Sequence, residues 1–346
     1  MEVRARGVLE SGGQVVPWTF RRRDLRPADV QIRITHSGIC HSDIHTVREE
    51  WGKQTFPIVP GHEIVGEVTA VGSAVTKFQV GERVGVGVYV DSCRECVNCQ
   101  SGNSNYCLEG MTGTFGGYER DGVTIAQGGY STGIVVDEGY VVRVPDSLDS
   151  AGAAPLMCAG ITVYAPLTHH GAGPGKRVGV MGMGGLGHLA VKFAHALGAE
   201  VWMFSHSASK REDALANGAD HFVVSSDVEQ MKALEKSFDL LINAISAPID
   251  LDPYLELLGL DGVLVFVGLS GQPYAVDAFT MLEQRRSISG SMIGSVGALQ
   301  DMLDFAGRHG IHAEIEMVDA DHINEAYERV VASDVRYRFV IDANTF

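Results

Sequence analysis

Apolar residues follow two different rhythms along this chain. Up to Ala151 they come in short runs that alternate with polar positions, as at Val30, Ile32 and Ile34, and again over 64–71 and 83–90. Period-two runs bounded by glycine predict half-buried strands joined by tight turns, so this region reads as β-rich. After Ala151 the texture changes. A short strand is predicted at 176–181, ending in glycines. Leu186, Leu189, Ala190, Phe193, Ala194 and Leu197 then recur at helical spacing, and Gly198 is a stop signal. Strands are predicted next at 201–205, 221–224, 238–245, 262–267 and 287–291, with helices near 209–217 and 227–235. Six strands alternating with helices predict an α/β unit, a Rossmann-type doubly wound parallel sheet. A helix at 296–308, a strand at 312–318, a helix at 321–332 and a strand at 337–341 complete the pattern, and this tail is free to return to the first region.

Length agrees with two cores: 346 residues exceed what one ordinary domain buries. A composition 45% hydrophobic and 20% charged is globular. The net charge of -16 makes nucleic acid and anionic membrane poor partners. Met1 to Glu10 carries charges from its second residue and has no apolar signal region, so a cytoplasmic protein is expected. Cysteine usage narrows the chemistry. Four of the six cysteines crowd one loop and two stand apart, which reads as metal binding rather than a disulfide framework.

The run Gly182-Met183-Gly184-Gly185-Leu186-Gly187 contains G-x-G-x-x-G between a predicted strand and a predicted helix. In that setting the first glycine permits the turn and the second lets a pyrophosphate approach the backbone. The third lets helix pack on strand, and the helix N-terminus faces the anion. The next strand ends in Phe204-Ser205-His206-Ser207-Ala208-Ser209-Lys210-Arg211, with no acid before Glu212. An acid there would hold an adenosine 2′-OH, whereas hydroxyls and cations suit a 2′-phosphate, so NADP(H) is expected. The alternative is that Lys210 and Arg211 are simply solvated helix residues.

Cys93-x2-Cys96-x2-Cys99-x7-Cys107 can close a four-sulfur tetrahedral shell with no open position, so a structural zinc is expected there. An iron–sulfur cluster uses four cysteines too, but no other electron-transfer feature accompanies these. Cys40, His62 and Cys158 would make a Cys2His set, whose open fourth position suits a catalytic zinc. Taken singly, Cys158 also reads as a small buried hydrophobe and His62 as a core histidine.

The segment Gly38-Ile39-Cys40-His41-Ser42-Asp43-Ile44-His45, the run Pro60-Gly61-His62-Glu63, the four-cysteine loop and the glycine turn occur in this order. Together they resemble the zinc-dependent medium-chain alcohol dehydrogenases, for which the Cys2His set is a known case. Ser205 to Lys210 and Asp334 to Phe339 narrow the likeness to the cinnamyl alcohol dehydrogenase-like branch, of bacterial aldehyde reductase type.

The resemblance implies a GroES-like β-rich catalytic domain, 1–152 with 294–346, and a Rossmann domain over 153–293. It implies that Cys40, His62 and Cys158 ligate the catalytic zinc, with Glu63 able to join them. Asp43 orients His62, Ser42 meets the substrate oxygen, and His45 ends a proton relay. His41, Thr162, Gly268, Ser291, Met292, Ile293 and Arg338 are implied to join the glycine turn, Ser205, His206, Ser207 and Lys210 around the cofactor. Ala244 stands where relatives often carry threonine.

The implied reaction is reversible, NADP(H)-linked hydride transfer between primary alcohols and aldehydes, aromatic or medium aliphatic. Two zinc ions per chain and a homodimer, or else a tetramer, are implied too. Rival readings are a non-catalytic NADPH-binding relative, a metal-free quinone reductase, and an NAD-dependent polyol dehydrogenase. Trp51, Met111, Phe115, Met292 and Ile293 are candidate pocket walls.

Overall fold

The structure, a computed structural model, describes all 346 residues. They form two compact units, one of Met1–Cys158 with Gly294–Phe346, the other of Ala159–Ile293. The first unit thus runs past the expected end at 152. The turns Ser150–Ala153 and Ala154–Met157 carry a buried apolar surface, including Ala153, Leu156 and Met157, that belongs to its sheet.

The first unit is built on a seven-stranded sheet. In spatial order its main path is Val141–Arg143, Arg83–Val86, Ile64–Val71, Asp29–Gly38, Arg338–Asp342 and Ile315–Val318, while Gly133–Asp137 also pairs with Asp29–Gly38. Val30, Ile32 and Ile34 are buried, as alternation requires of one core-facing edge of a strand. The tail does return: Arg338–Asp342 lies antiparallel to Asp29–Gly38, with Val340 opposite Gly38. The predicted strand 83–90 is broken. It ends at Val86, and Tyr89–Asp91 turns away to pair with Thr112–Gly113. Thr114 enforces the break, because its amide donates to the Val88 carbonyl at 3.0 Å and its hydroxyl to the Gly87 carbonyl at 2.5 Å.

The second unit holds six parallel strands in the order His221–Val224, Glu200–Ser205, Arg177–Met181, Phe238–Asn243, Leu258–Phe266 and Ser287–Gly290. Counted along the chain this is 3-2-1-4-5-6, the dinucleotide-binding order. Central strands covered on both faces need continuous apolar runs. Val178, Val180, Met181, Leu240, Leu241 and Ile242 meet that need, each at most 2% exposed. The helix Gly187–Ala196 buries Leu189, Ala190, Phe193 and Ala194, and Gly198 stops it at φ +89°. Only glycine takes that conformation freely. No single helix in the chain is long and apolar enough to cross a membrane.

Candidate active site and metal centres

Two groups of ligand-type side chains stand in the first unit. In each group the ligand atoms lie within 4.8 Å of one another. The first is Cys93, Cys96, Cys99 and Cys107. Its Cys93 and Cys99 sulfurs are 3.8 Å apart, and two thiolates on a tetrahedral zinc with bonds of about 2.3 Å would sit at about that spacing. The loop also supplies N–H groups to the sulfurs. Cys93 N donates to Cys107 Sγ and Cys96 N to Cys93 Sγ, both at 3.3 Å, and Leu108 N to Cys96 Sγ at 3.4 Å. Such donors stabilise thiolate charge. The amide of Leu108 holds Cys96 down at about 6.

The second group is Cys40, His62, Glu63 and Cys158, all buried. Cys40 precedes the short helix His41–Val47, His62 and Glu63 lie just before the strand Ile64–Val71, and Cys158 closes the turn Ala154–Met157. His62 Nδ1 lies 3.0 Å from Asp43 Oδ1. An ionised carboxylate only accepts, so Nδ1 carries a proton and Nε2 is the nitrogen left for a metal. Nε2 is buried and has no hydrogen-bond partner. A buried imidazole nitrogen facing two thiols, with no other hydrogen-bond partner, is a donor set of the kind zinc takes, so these residues fit zinc.

The Cys158 thiol holds Cys40 well below the usual thiol range by donating to it, and Cys158 itself is pushed well above. Burial opposes charge on His62, but the Asp43 carboxylate overrides it and raises the imidazole well above its ordinary value. Burial pushes Glu63 up to about 8 against the pull of Arg338. Glu63 Oε1 is ion-paired with the Arg338 guanidinium, and Oε2 is buried without a partner. Gly38 makes room for this carboxylate, since a Cβ there would lie 2.0 Å from Glu63 Oε2. Arg338, expected among the cofactor contacts, is 8% exposed and has its charge committed to Glu63. It enters the site because its strand pairs beside Asp29–Gly38.

One helix carries the remaining polar groups. Ser42 Oγ lies 3.2 Å from Cys40 Sγ. His45, three residues on, stacks between His41 and Trp51 at centroid distances of 4.6 and 4.7 Å, and its Nδ1 meets the Glu50 carboxylate. Phe115 lies parallel to the His62 ring, 5.7 Å away and tilted by 8°. Glu50 was not legible beforehand, although a carboxylate five residues after a relay histidine is a findable signal. Tyr130, whose hydroxyl donates to Asp43 Oδ2 at 2.9 Å, was missed as well.

In the second unit the expected cofactor residues line the carboxyl ends of the strands, where doubly wound sheets bind ligands. Gly182 follows Arg177–Met181 at φ +93°. A Cβ on Gly184 would meet nothing within 4 Å, leaving space at the backbone for a ligand. A Cβ on Gly187 would lie 1.8 Å from the Gly182 carbonyl oxygen. The third glycine therefore keeps the turn closed upon itself, more directly than it lets helix pack on strand. Met183, Gly185 and Leu186 complete the turn into the helix Gly187–Ala196.

Ser205 ends its strand with a buried side chain, and His206, Ser207 and Lys210 follow it. Ser207 Oγ and Ser209 Oγ share a hydrogen bond of 2.8 Å. Gly268 donates to the Asn243 carbonyl at 2.9 Å and Ser291 to the Phe266 carbonyl at 3.1 Å. Met292 is exposed, and Ile293 has φ +47°. Thr162 is buried on the helix Ala159–His169.

Comparison with known proteins agrees with this geometry. Residues 26–146 match the alcohol dehydrogenase GroES-like domain, and residues 185–308 match the zinc-binding dehydrogenase domain. The chain is 58% identical to NADP-dependent alcohol dehydrogenase C 1 of Mycolicibacterium smegmatis, over 94% of this chain and 93% of that one. It is 49% identical to aldehyde reductase YahK of Escherichia coli, over 100% and 99%. A cinnamyl alcohol dehydrogenase structure from Sorghum bicolor superposes with a TM-score of 0.95 at 45% identity, covering 99% of this chain and 98% of the other. The chain belongs to the zinc-binding alcohol dehydrogenase family.

Proposed function

We propose that this chain is an NADP(H)-linked, zinc-dependent alcohol dehydrogenase working chiefly as an aldehyde reductase. The observation that carries this reading is the buried, unpartnered Nε2 of His62 facing the Cys40 and Cys158 sulfurs. A zinc ion held by Cys40, His62 and Cys158, with Glu63 beside them, supplies positive charge for the oxygen that becomes negative during reduction. NADPH supplies the hydride. The chain's own residues handle orientation and the proton. Asp43 fixes the His62 ring. Ser42 gives its hydroxyl proton to the substrate oxygen and is reprotonated from solvent by way of His45. His45, on the same helix and one-quarter exposed, exchanges protons with solvent, and Glu50 keeps its ring in place.

Cofactor choice rests on the hydroxyls of Ser205 and Ser207, with Lys210, at the end of a strand that lacks an acid. The relative from M. smegmatis is NADP-dependent by name. Thr162, Gly182 to Gly187, His206, Gly268 and Ser291 to Ile293 complete the cofactor surface of the second unit, and in the first unit Arg338 acts through Glu63. Cys93, Cys96, Cys99 and Cys107 hold a second, structural zinc. The flat ring of Phe115 beside His62 favours aromatic aldehydes of the cinnamyl and benzyl type, with medium aliphatic ones accepted.

The chain is assigned to the cytoplasm because all six cysteines are free thiols and sit in metal-type clusters. Phe279, Leu282 and Ile288 are exposed on and beside the edge strand Ser287–Gly290, which suits pairing of two copies into a homodimer.

The test is a ranking of kcat/KM over cinnamaldehyde, benzaldehyde and hexanal with NADPH and with NADH, alongside zinc analysis and size-exclusion chromatography. Two zinc ions per chain and chelator-sensitive NADPH oxidation are expected. Zinc-independent turnover, or none with any aldehyde, overturns the reading. Equal or better use of NADH overturns the cofactor choice alone.

A further inference from the structure

Asp43 is wholly buried and accepts four hydrogen bonds. Oδ2 takes Cys40 N at 2.9 Å and the Tyr130 hydroxyl at 2.9 Å, while Oδ1 takes Gly61 N at 3.2 Å and His62 Nδ1 at 3.0 Å. Two carboxylate oxygens offer about four lone-pair directions, so the group is saturated. Its partners are not scattered. Two are backbone amides of the segments that carry Cys40 and His62, and the third is the His62 ring itself.

Tyr130 alone comes from elsewhere in the chain, and it is locked to the same loop. Tyr130 N donates to the Pro60 carbonyl at 2.9 Å, and Gly129 N to the Gly61 carbonyl at 2.8 Å. Its ring covers Gly61 so closely that a Cβ on that residue would lie 2.5 Å from Tyr130 Cδ1. Gly61 has φ +101°, a second reason for glycine there.

We propose that Tyr130 is a positioning residue of the metal centre, its hydroxyl holding the Asp43 carboxylate in the rotation that aims His62 Nε2 at the ion. This rests on the reading of Cys40, His62 and Cys158 as zinc ligands. Without the hydroxyl, one lone pair of a buried carboxylate is unsatisfied, and the carboxylate turns or weakens its hold on Nδ1. Groups that orient a ligating histidine typically change metal affinity by about 10–100-fold.

Tyr327 provides the control. It is buried, its ring centroid lies 6.4 Å from that of Tyr130, and its hydroxyl interacts with the Tyr130 hydroxyl but is not among the four donors to Asp43. Tyr327→Phe therefore tests loss of a hydroxyl in the same core without touching Asp43.

The experiment uses the zinc-loaded protein, with Tyr130→Phe and Tyr327→Phe beside it. Release of each zinc ion to a chelator is followed, and the visible spectrum is recorded after cobalt replaces the zinc of the Cys40 site. Tyr130→Phe is expected to bind that zinc about 10–100-fold more weakly and to shift the cobalt bands. The four-cysteine zinc should be unchanged in all proteins, and Tyr327→Phe should match the unsubstituted chain. The proposal is overturned if Tyr130→Phe keeps its zinc and spectrum unchanged. It is equally overturned if both phenylalanine variants lose zinc alike, or if both ions leave together. Failure of the underlying reading looks different: the unsubstituted chain would carry a single zinc, or Cys40→Ala would still carry two.

Discussion

Gly184→Ala and Gly187→Ala each add one methyl group, three residues apart, yet should fail in different ways. A Cβ at Gly184 meets no protein atom within 4 Å, and its φ is not in the left-handed region. Folding should therefore tolerate that alanine, or gain a little from reduced freedom in the unfolded chain. The methyl would occupy the space a pyrophosphate needs. Each lost N–H contact to a charged oxygen costs about 1.5–3 kcal/mol, or roughly 10–150-fold in Kd.

At Gly187 the added atom would lie 1.8 Å from the Gly182 carbonyl oxygen, a backbone atom of the same turn. The turn must open, at the usual overpacking cost of about 1–3 kcal/mol. At about 3–4 °C per kcal/mol that lowers Tm by about 3–12 °C. Thermal melts and fluorescence titration with NADPH separate the two variants. Gly184→Ala should keep Tm within about 2 °C and lose NADPH affinity; Gly187→Ala should lose both. If Gly184→Ala melts as low as Gly187→Ala, or binds NADPH normally, the division of labour argued for this turn is wrong.

Other substitutions probe the remaining features. Ser205→Asp puts a carboxylate where the 2′-phosphate is expected and should cut kcat/KM with NADPH about 100-fold while sparing NADH; an unchanged NADPH value contradicts the cofactor assignment. Cys107→Ser opens the four-sulfur shell, so zinc analysis should find one ion fewer and a lower Tm, with NADPH affinity intact because the glycine turn lies in the other unit. Arg338→Met leaves the buried Glu63 carboxyl without its ion-pair partner, and breaking a buried pair costs about 3–5 kcal/mol. Adding Glu63→Gln should recover most of that loss in a denaturant melt, and no recovery would mean that Arg338 stabilises by packing alone.

Legibility from sequence followed local physics. The central strands of the Rossmann sheet could be read because strands covered on both faces must be apolar throughout, as Val178 to Met181 and Leu240 to Ile242 are. The hairpin of Glu2–Gly7 with Val16–Arg21 could not, since the second strand alternates partly and fully exposed positions and mixes Pro17 with Arg21. The helix Ala159–His169 hid for another reason: it contains Pro166 and is buried on most sides, so it shows little periodicity. Metal ligands were legible because cysteine is rare, six in the chain, and the motifs that carry the ligands are short. Their supports were not. Tyr130 carries no local motif, and Arg338 lies 275 positions from Glu63, a pairing that only the sheet reveals.

That separation sets an order of events during synthesis. Glu63 leaves the ribosome 275 residues ahead of the guanidinium that neutralises it, a delay of about 14–55 s at about 5–20 residues per second. In that interval the contiguous second unit, Ala159–Ile293, can fold as a body. The β-rich unit still lacks both Arg338–Asp342 and Ile315–Val318. Its carboxylate must stay hydrated or protonated until the closing strand arrives. A nascent chain stalled before Arg338 should therefore protect its glycine turn from protease while leaving the segment around His62 open to cleavage.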